Sequence, residues 1–138
     1  MLYLSKYIID RKPEYYRCLR RVTENGEWEA WVLYLLEAVE NTSVFTRQRI
    51  LAIRKLLDET LELAKLKLPA RVYSKDLIEL IFHQPYTKGQ FVVAAGLAER
   101  QTAAEYLKEL EGIGVLSPRK VGRENLYLNV KLYELLAK

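Results

Sequence analysis

From Trp28 to Lys67 the chain contains neither glycine nor proline, and its apolar residues return at helical intervals: Trp28, Trp31, Leu35, Leu36 and Val39, then Ile50, Ile53, Leu57, Leu61 and Ala64. Residues three and four apart share one side of a helix, so this spacing predicts one long amphipathic helix, with a bend admitted at the polar run Asn41-Thr42-Ser43. Trp28 and Trp31 are expected to anchor its start in a core. Upstream, Ser5 is placed to cap a short helix over Lys6 to Arg11. Pro13 suits the first position of a second helix, which stops at Asn25-Gly26. The first part, residues 1–68, is thus expected to be all helical.

After Leu68 the texture changes. Residues 69–72 read as a short linker, and residues 73–138 as a compact second domain of short elements parted by turn residues. Ser74 is expected to cap a helix carrying Leu77, Ile78, Ile81 and Phe82 that ends before Pro85. Thr87 and Gln90 stand in a Thr-x-x-Gln relation, which predicts a capping box opening a second helix that ends at Gly96. A third helix carries Ala103, Leu107 and Leu110 on one side and stops at Gly112 and Gly114. Two strands follow at Val115-Leu116-Ser117 and Leu126-Tyr127-Leu128, with a polar turn containing Gly122 between them, and a last short helix covers Leu132 to Leu136. Three helices and a two-stranded ribbon in this order predict a winged helix-turn-helix domain, so the fold class is mainly α.

Charge and composition narrow the function classes. The net charge of +4 is split evenly: twelve basic residues oppose ten acidic ones through Ala70, and ten oppose eight beyond it, so neither part is a polybasic arm for nucleic acid or membrane. Arg17, Arg20 and Arg21 lie on one side of the second helix, where a solvated face is the simplest account. No apolar run approaches the roughly 18 residues of a membrane span. The start lacks the basic, apolar and cleavage segments of a secretory signal, which makes a cytoplasmic location the expectation. Cys18 is the lone cysteine and His83 the lone histidine, so a disulfide, a thiolate zinc cluster and a His-rich metal site are all excluded within the chain, and Cys18 reads as a reduced thiol.

The stretches "LYLSKYII", "YYRCLRRV" and "NGEWEAWVLYLLEAVE" resemble the segment that follows the active-site motif in Fic proteins, bacterial adenylyltransferases that move AMP from ATP onto a target hydroxyl. The stretches "YSKDLIELIFHQPYTKGQFVVAAGL" and "RQTAAEYLKELEGIGVL" are similar to the winged helix appended to many longer members. The resemblance covers nearly the whole chain. It implies a helical C-terminal portion of a Fic domain followed by a winged helix, with Met1 just past the catalytic helix. The family's catalytic loop, His-Pro-Phe-x-x-Gly-Asn-Gly-Arg-x-Gly-Arg, has no counterpart here. His83 sits in "IFHQPYT" with no glycine-rich cradle after it. The resemblance therefore implies no catalytic residue and no metal ligand on this chain, and no cofactor bound by it, although the complete family enzyme uses ATP and Mg.

Two tyrosines carry over by resemblance. Tyr15 and Tyr16 match a pair that lies beside the purine of bound ATP, a role suited to a flat apolar ring with a hydroxyl at its tip. Adjacent helix positions point about 100° apart, so at most one of the two faces a given pocket. Where some members place a base-reading asparagine, this chain has Val22-Thr23-Glu24. That departure leaves adenine selectivity without a residue to supply it.

Two readings follow. The first is a non-catalytic C-terminal segment of a Fic-type protein adenylyltransferase, with the winged helix serving target recruitment, dimerisation or regulation. Its partners would be the N-terminal Fic portion or a second copy, met through Leu2, Leu4, Ile8, Leu33 and Leu36. The second is a small winged-helix DNA-binding transcriptional regulator. Charge on the third helix disfavours it, since Glu99, Glu105, Glu109 and Glu111 oppose Arg100 and Lys108 where phosphates would lie. The wing is more permissive: Arg119, Lys120 and Arg123 surround Gly122 with Glu124 alone against them. Sequence-specific nucleic-acid binding is not expected.

Overall fold

The structure, a computed structural model, describes residues 3–138. The protein is mainly α-helical with one small sheet, as the patterning predicts. Its chain forms two compact units, residues 1–50 and 51–138, which part within the long helix and well before Pro69.

In the first unit, α1 (Leu4–Asp10) and α2 (Lys12–Asn25) lead into α3 (Trp28–Lys67), which runs without a break through Asn41-Thr42-Ser43. Ser5 does not cap α1. The helix starts one residue earlier, at Leu4, with Tyr3 at its N-cap and no side-chain cap bond. Pro13 falls in the first turn of α2, where a missing N–H costs nothing. Gly26 ends that helix at φ +65°, and its N–H donates to the Val22 carbonyl at 3.0 Å. Only a residue without a Cβ takes that left-handed conformation freely. α1 and α2 contribute no buried residue, so the interior of this unit rests on Tyr34, Ala38 and Thr42 of α3. Trp28 is not a core anchor, because 61% of its surface is exposed. It is the first residue of α3, ahead of the ring cluster that holds Trp31. Leu2 lies outside the described residues.

In the second unit, the rest of α3 is followed by α4 (Lys75–Leu80), β1 (Tyr86–Thr87), α5 (Gly89–Ala94), α6 (Arg100–Gly112), β2 (Ser117–Val121), β3 (Glu124–Leu128) and α7 (Val130–Ala137). The sheet is antiparallel in the order β1-β3-β2, with Tyr86 opposite Leu128 and Arg119 opposite Leu126. Its core joins Ala64 of α3, together with Leu68 and Val72 of the following segment, to Leu77, Ile78, Ile81, Val92, Ala103, Leu107, Leu110 and Leu116. Ser74 caps α4 as expected: its Oγ accepts from the Leu77 N–H at 3.1 Å. That helix is shorter than its apolar spacing suggests, and Ile81 and Phe82 lie in the turn that closes it.

Thr87 is the main departure. It does not open a capping box; it is buried in β1 opposite Tyr127, and α5 begins two residues later with Lys88 at its N-cap and no side-chain cap bond. A two-residue strand carries too little periodicity to read, and a threonine suits a pleated position as well as a cap. The first strand of the hairpin also sits later than expected, while β3 takes in the expected Leu126-Tyr127-Leu128 and starts two residues earlier. Val115 and Leu116 precede β2 rather than forming it. The turn is Gly122-Arg123, with Gly122 at φ +61° and no positive φ at Arg123. That pattern fits a type II′ turn, whose twist matches the flanking strands.

Because Leu110 is fully buried in the core of the second unit, Leu110→Ala is expected to lower its unfolding free energy by about 2–5 kcal/mol. Urea titration followed by far-ultraviolet circular dichroism measures it. A loss below about 1 kcal/mol would contradict the packing described.

Candidate functional site

The first unit gathers its aromatic side chains where α1 and α2 meet α3. The Tyr15 ring lies 5.3 Å from Trp31, 6.2 Å from Tyr34 and 5.4 Å from Tyr16, and Tyr7 lies 5.9 Å from Tyr34. Centroid spacings of this size with tilted planes are favourable quadrupole contacts. The pair named from sequence is thus split: Tyr15 is half-buried in the cluster, while Tyr16 points outward and is mostly exposed. On one side of the cluster Arg11 bonds the Tyr7 hydroxyl at 2.6 Å, stacks over its ring and reaches Glu37 at 3.6 Å. Patterning pointed to none of Tyr7, Arg11, Tyr34 and Glu37, although the four-residue step from Tyr7 to Arg11 is a readable helix pair.

An exposed ring at Tyr16 offers a face for a base. Among the described residues no three His, Cys, Asp or Glu side chains are grouped as a metal ion requires. His83 is exposed in the turn after α4, in the second unit.

Tyr34 is the buried polar residue of the cluster. It is 3% exposed, and its hydroxyl has no hydrogen-bond partner among the described residues. Desolvation raises its pKa above the ordinary tyrosine value, with smaller contributions from Tyr7, Glu14 and Cys18 in the same direction and Arg11 opposing. Desolvation likewise raises Tyr7.

The second unit carries the other candidate surface. Arg119 and Lys120 are exposed, but they lie on strand β2 and not in the turn; Arg123 alone occupies it. Successive strand residues point to opposite faces, so Arg119 and Lys120 do not act on one plane. β2 is also an edge of the sheet, where Pro118 and Lys120 serve to block pairing with another strand. Glu124 is held by Lys88, whose Nζ lies 3.4 Å from its carboxylate and 5.4 Å from the Phe91 ring centre. Composition gave no sign of Lys88 in this role, because the two residues are far apart in sequence and meet only when β1 pairs with β3. On α6, Arg100, Gln101, Lys108, Glu105 and Glu111 are exposed, and Glu109 is half-buried. Arg71 pairs with Glu105 at 3.5 Å, and its carbonyl accepts from the Tyr106 hydroxyl at 3.3 Å.

A buried hydroxyl without a partner costs about 1–3 kcal/mol, so Tyr34→Phe is expected to stabilise the first unit by about 1 kcal/mol. It should also change the pH profile. A phenol whose folded pKa is raised contributes stability below the unfolded value of 10.0, and that contribution is lost as pH climbs through the higher folded value. Thermal melts between pH 8 and 11 should show the wild type losing more stability at the alkaline end than Tyr34→Phe. Parallel profiles would contradict the assignment.

A family model described as protein adenylyltransferase SoFic-like, C-terminal domain, matches residues 56–132. The match takes in the last turns of α3, every element from α4 to β3 and the start of α7, and it includes Arg119, Lys120 and Arg123 but not Tyr15 or Tyr16. It spans more than half of the chain, and the helices, sheet and core of the second unit lie almost wholly within it. This chain belongs to the family of SoFic-like protein adenylyltransferase C-terminal domains.

Proposed function

We propose that the chain is a non-catalytic C-terminal part of a Fic-type protein adenylyltransferase and that its second unit is a winged helix used to recruit a target protein or to regulate the enzyme. The family match over residues 56–132 carries this reading. Support also comes from the order of elements, helix, strand, two helices and a hairpin, together with the mixed charge of α6. Phosphoryl and nucleotidyl transfer depend on positioning and on charge stabilisation by metal, arginine and backbone donors, and the sequence holds no His-Pro-Phe-x-x-Gly-Asn-Gly-Arg stretch to supply them. The chain alone is expected to transfer no AMP when incubated with labelled ATP, magnesium and cell lysate. Label on a target, lost when Tyr15 and Tyr16 are replaced, would overturn this.

The wing cations favour a second reading, a DNA-binding regulator located in the cytoplasm. Against it, α6 exposes Glu105 and Glu111 along with Arg100 and Lys108, and like charge opposes docking into a groove walled by phosphates. Arg119, Lys120 and Arg123 would supply a few phosphate contacts, which position a protein without reading sequence. In mobility-shift titrations at physiological salt, only weak binding is expected, indifferent to sequence and abolished by Arg119→Ala with Arg123→Ala. A preferred operator that random duplex fails to compete away would instead establish the regulator.

The partner of the first unit is proposed as the catalytic Fic portion or a second copy of the chain. Its exposed apolar side chains, Leu33 and Leu36 among them, form a surface of the kind that marks an interaction site.

A further inference from the structure

The apolar residues of α3 in the first unit occupy more of the helix than α1 and α2 cover. Tyr34, Ala38 and Thr42 are buried, and the ring contacts of Tyr7 and Tyr15 fall on Trp31 and Tyr34. Elsewhere on the helix, Trp28, Val32, Leu36, Val39 and Ile50 are all 40% or more exposed. At about 100° per residue these five fall within an arc of roughly 80°. Ser43 and Thr46, half-buried and uncharged, fall in the same arc. No charged residue between Trp28 and Ile50 does; Glu29, Glu40 and Arg47 border it.

Charge along this stretch is polar from end to end. From Trp28 to Glu40 the ionised residues are Glu29, Glu37 and Glu40, with no lysine or arginine; from Asn41 to Ile50 they are Arg47 and Arg49, with no acid. Glu37 is engaged by Arg11. Glu40 and Arg47, beside the apolar stripe, have no ion-pair partner among the described residues. A surface that is apolar along its middle and acidic then basic along its border is complementary to itself when reversed.

We propose that the stripe is the contact surface of a homodimer in which two copies of α3 pack antiparallel and cross near Ser43. This deepens the proposed self-association by naming its surface and geometry. In a parallel pair the two copies' Glu40 and Arg47 would lie on opposite sides of the seam and meet no opposite charge. The reversed pair keeps both copies' charged flanks on one side of the seam and sets each Glu40 beside the other copy's Arg47, and such opposite charges across a seam favour one orientation of the helices. The register agrees with the charges. Leu36 and Ile50 lie equally far from Ser43 on either side, so the two-fold axis that opposes Glu40 to Arg47 within one residue also brings Leu36 onto Ile50 of the second copy. Ser43 at the crossing is small enough to let the helices approach. A two-fold contact of this kind is isologous, with each patch meeting itself.

The test uses the whole chain in a Cys18→Ser background, with Ser43→Cys, Leu36→Cys and Ile50→Cys introduced singly and oxidised at tens of micromolar. The antiparallel crossing gives a disulfide-linked dimer from Ser43→Cys alone and from an equal mixture of Leu36→Cys and Ile50→Cys, but not from either of that pair by itself. Cross-linking of Leu36→Cys and Ile50→Cys each to itself would show a parallel pair and overturn the proposal. So would a monomer of the unmodified chain in sedimentation equilibrium. Glu40→Arg is expected to raise the dimer dissociation constant about tenfold or more, and Arg47→Glu added to it to restore the wild-type value. Both residues are exposed, so circular dichroism should show the monomer fold intact. Absence of that rescue would equally overturn the proposal. None of these readouts depends on AMP transfer or duplex binding, so failure here is separable from failure of the Fic reading.

Discussion

Asn129 joins three elements of the second unit through three hydrogen bonds. It is buried; its Oδ1 accepts from the Leu132 N–H at the start of α7, its Nδ2 donates to the Ile81 carbonyl at 3.4 Å, and its own N–H donates to the Pro85 carbonyl at 2.8 Å. A buried amide left short of partners is costly, so the end of β3, the turn after α4 and the first turn of α7 are fixed together or not at all. β3 is the central strand of the sheet. Where it ends sets the register of β1 on one side and β2 on the other, and hence where Lys88, Glu124, Arg119, Lys120 and Arg123 stand.

The first unit is built on a different principle. Among the described residues it has no such polar node, and α1 and α2 bury no residue fully. What holds them is contact between rings, Tyr7 and Tyr15 on Trp31 and Tyr34, reinforced by Arg11 bridging Tyr7 and Glu37. Two short helices cover one side of α3 and leave another side apolar. That imbalance is a constraint on function as much as on stability, since an uncovered stripe of Val32, Leu36 and Val39 is stable in water only at the cost of the hydrophobic free energy that a partner would supply.

Elements with long periodicity were legible in the sequence. α3, with its apolar residues at steps of three and four, and α6, with Ala103, Leu107 and Leu110 on its buried side, stand where the spacing puts them. So do the Ser74 cap and the Gly26 stop, each of which follows from the chemistry of one residue. What was not legible depends on contacts between distant residues. β1 is two residues long and exists because Tyr86 and Thr87 pair with Leu128 and Tyr127; nothing local distinguishes Thr87 in a strand from Thr87 at a cap. Trp28 illustrates the opposite limit, because helical spacing says that it shares a side with its neighbours but not whether anything covers that side. The same holds for the candidate site. Tyr15 and Tyr16 were named as a pair, and helix geometry alone required them to diverge, but which of them turned inward was set by Trp31 and Tyr34.

Net charge is a poor guide to what the second unit can bind, because its charges are already committed in part. Arg71 is spent on Glu105 and Lys88 on Glu124, each an exposed pair worth little in stability but sufficient to remove a cation from any outward-facing patch. The cations of the hairpin are distributed by strand geometry: Arg119 and Lys120 alternate across β2, and Arg123 sits in its turn. A surface made this way has no single plane on which cations converge.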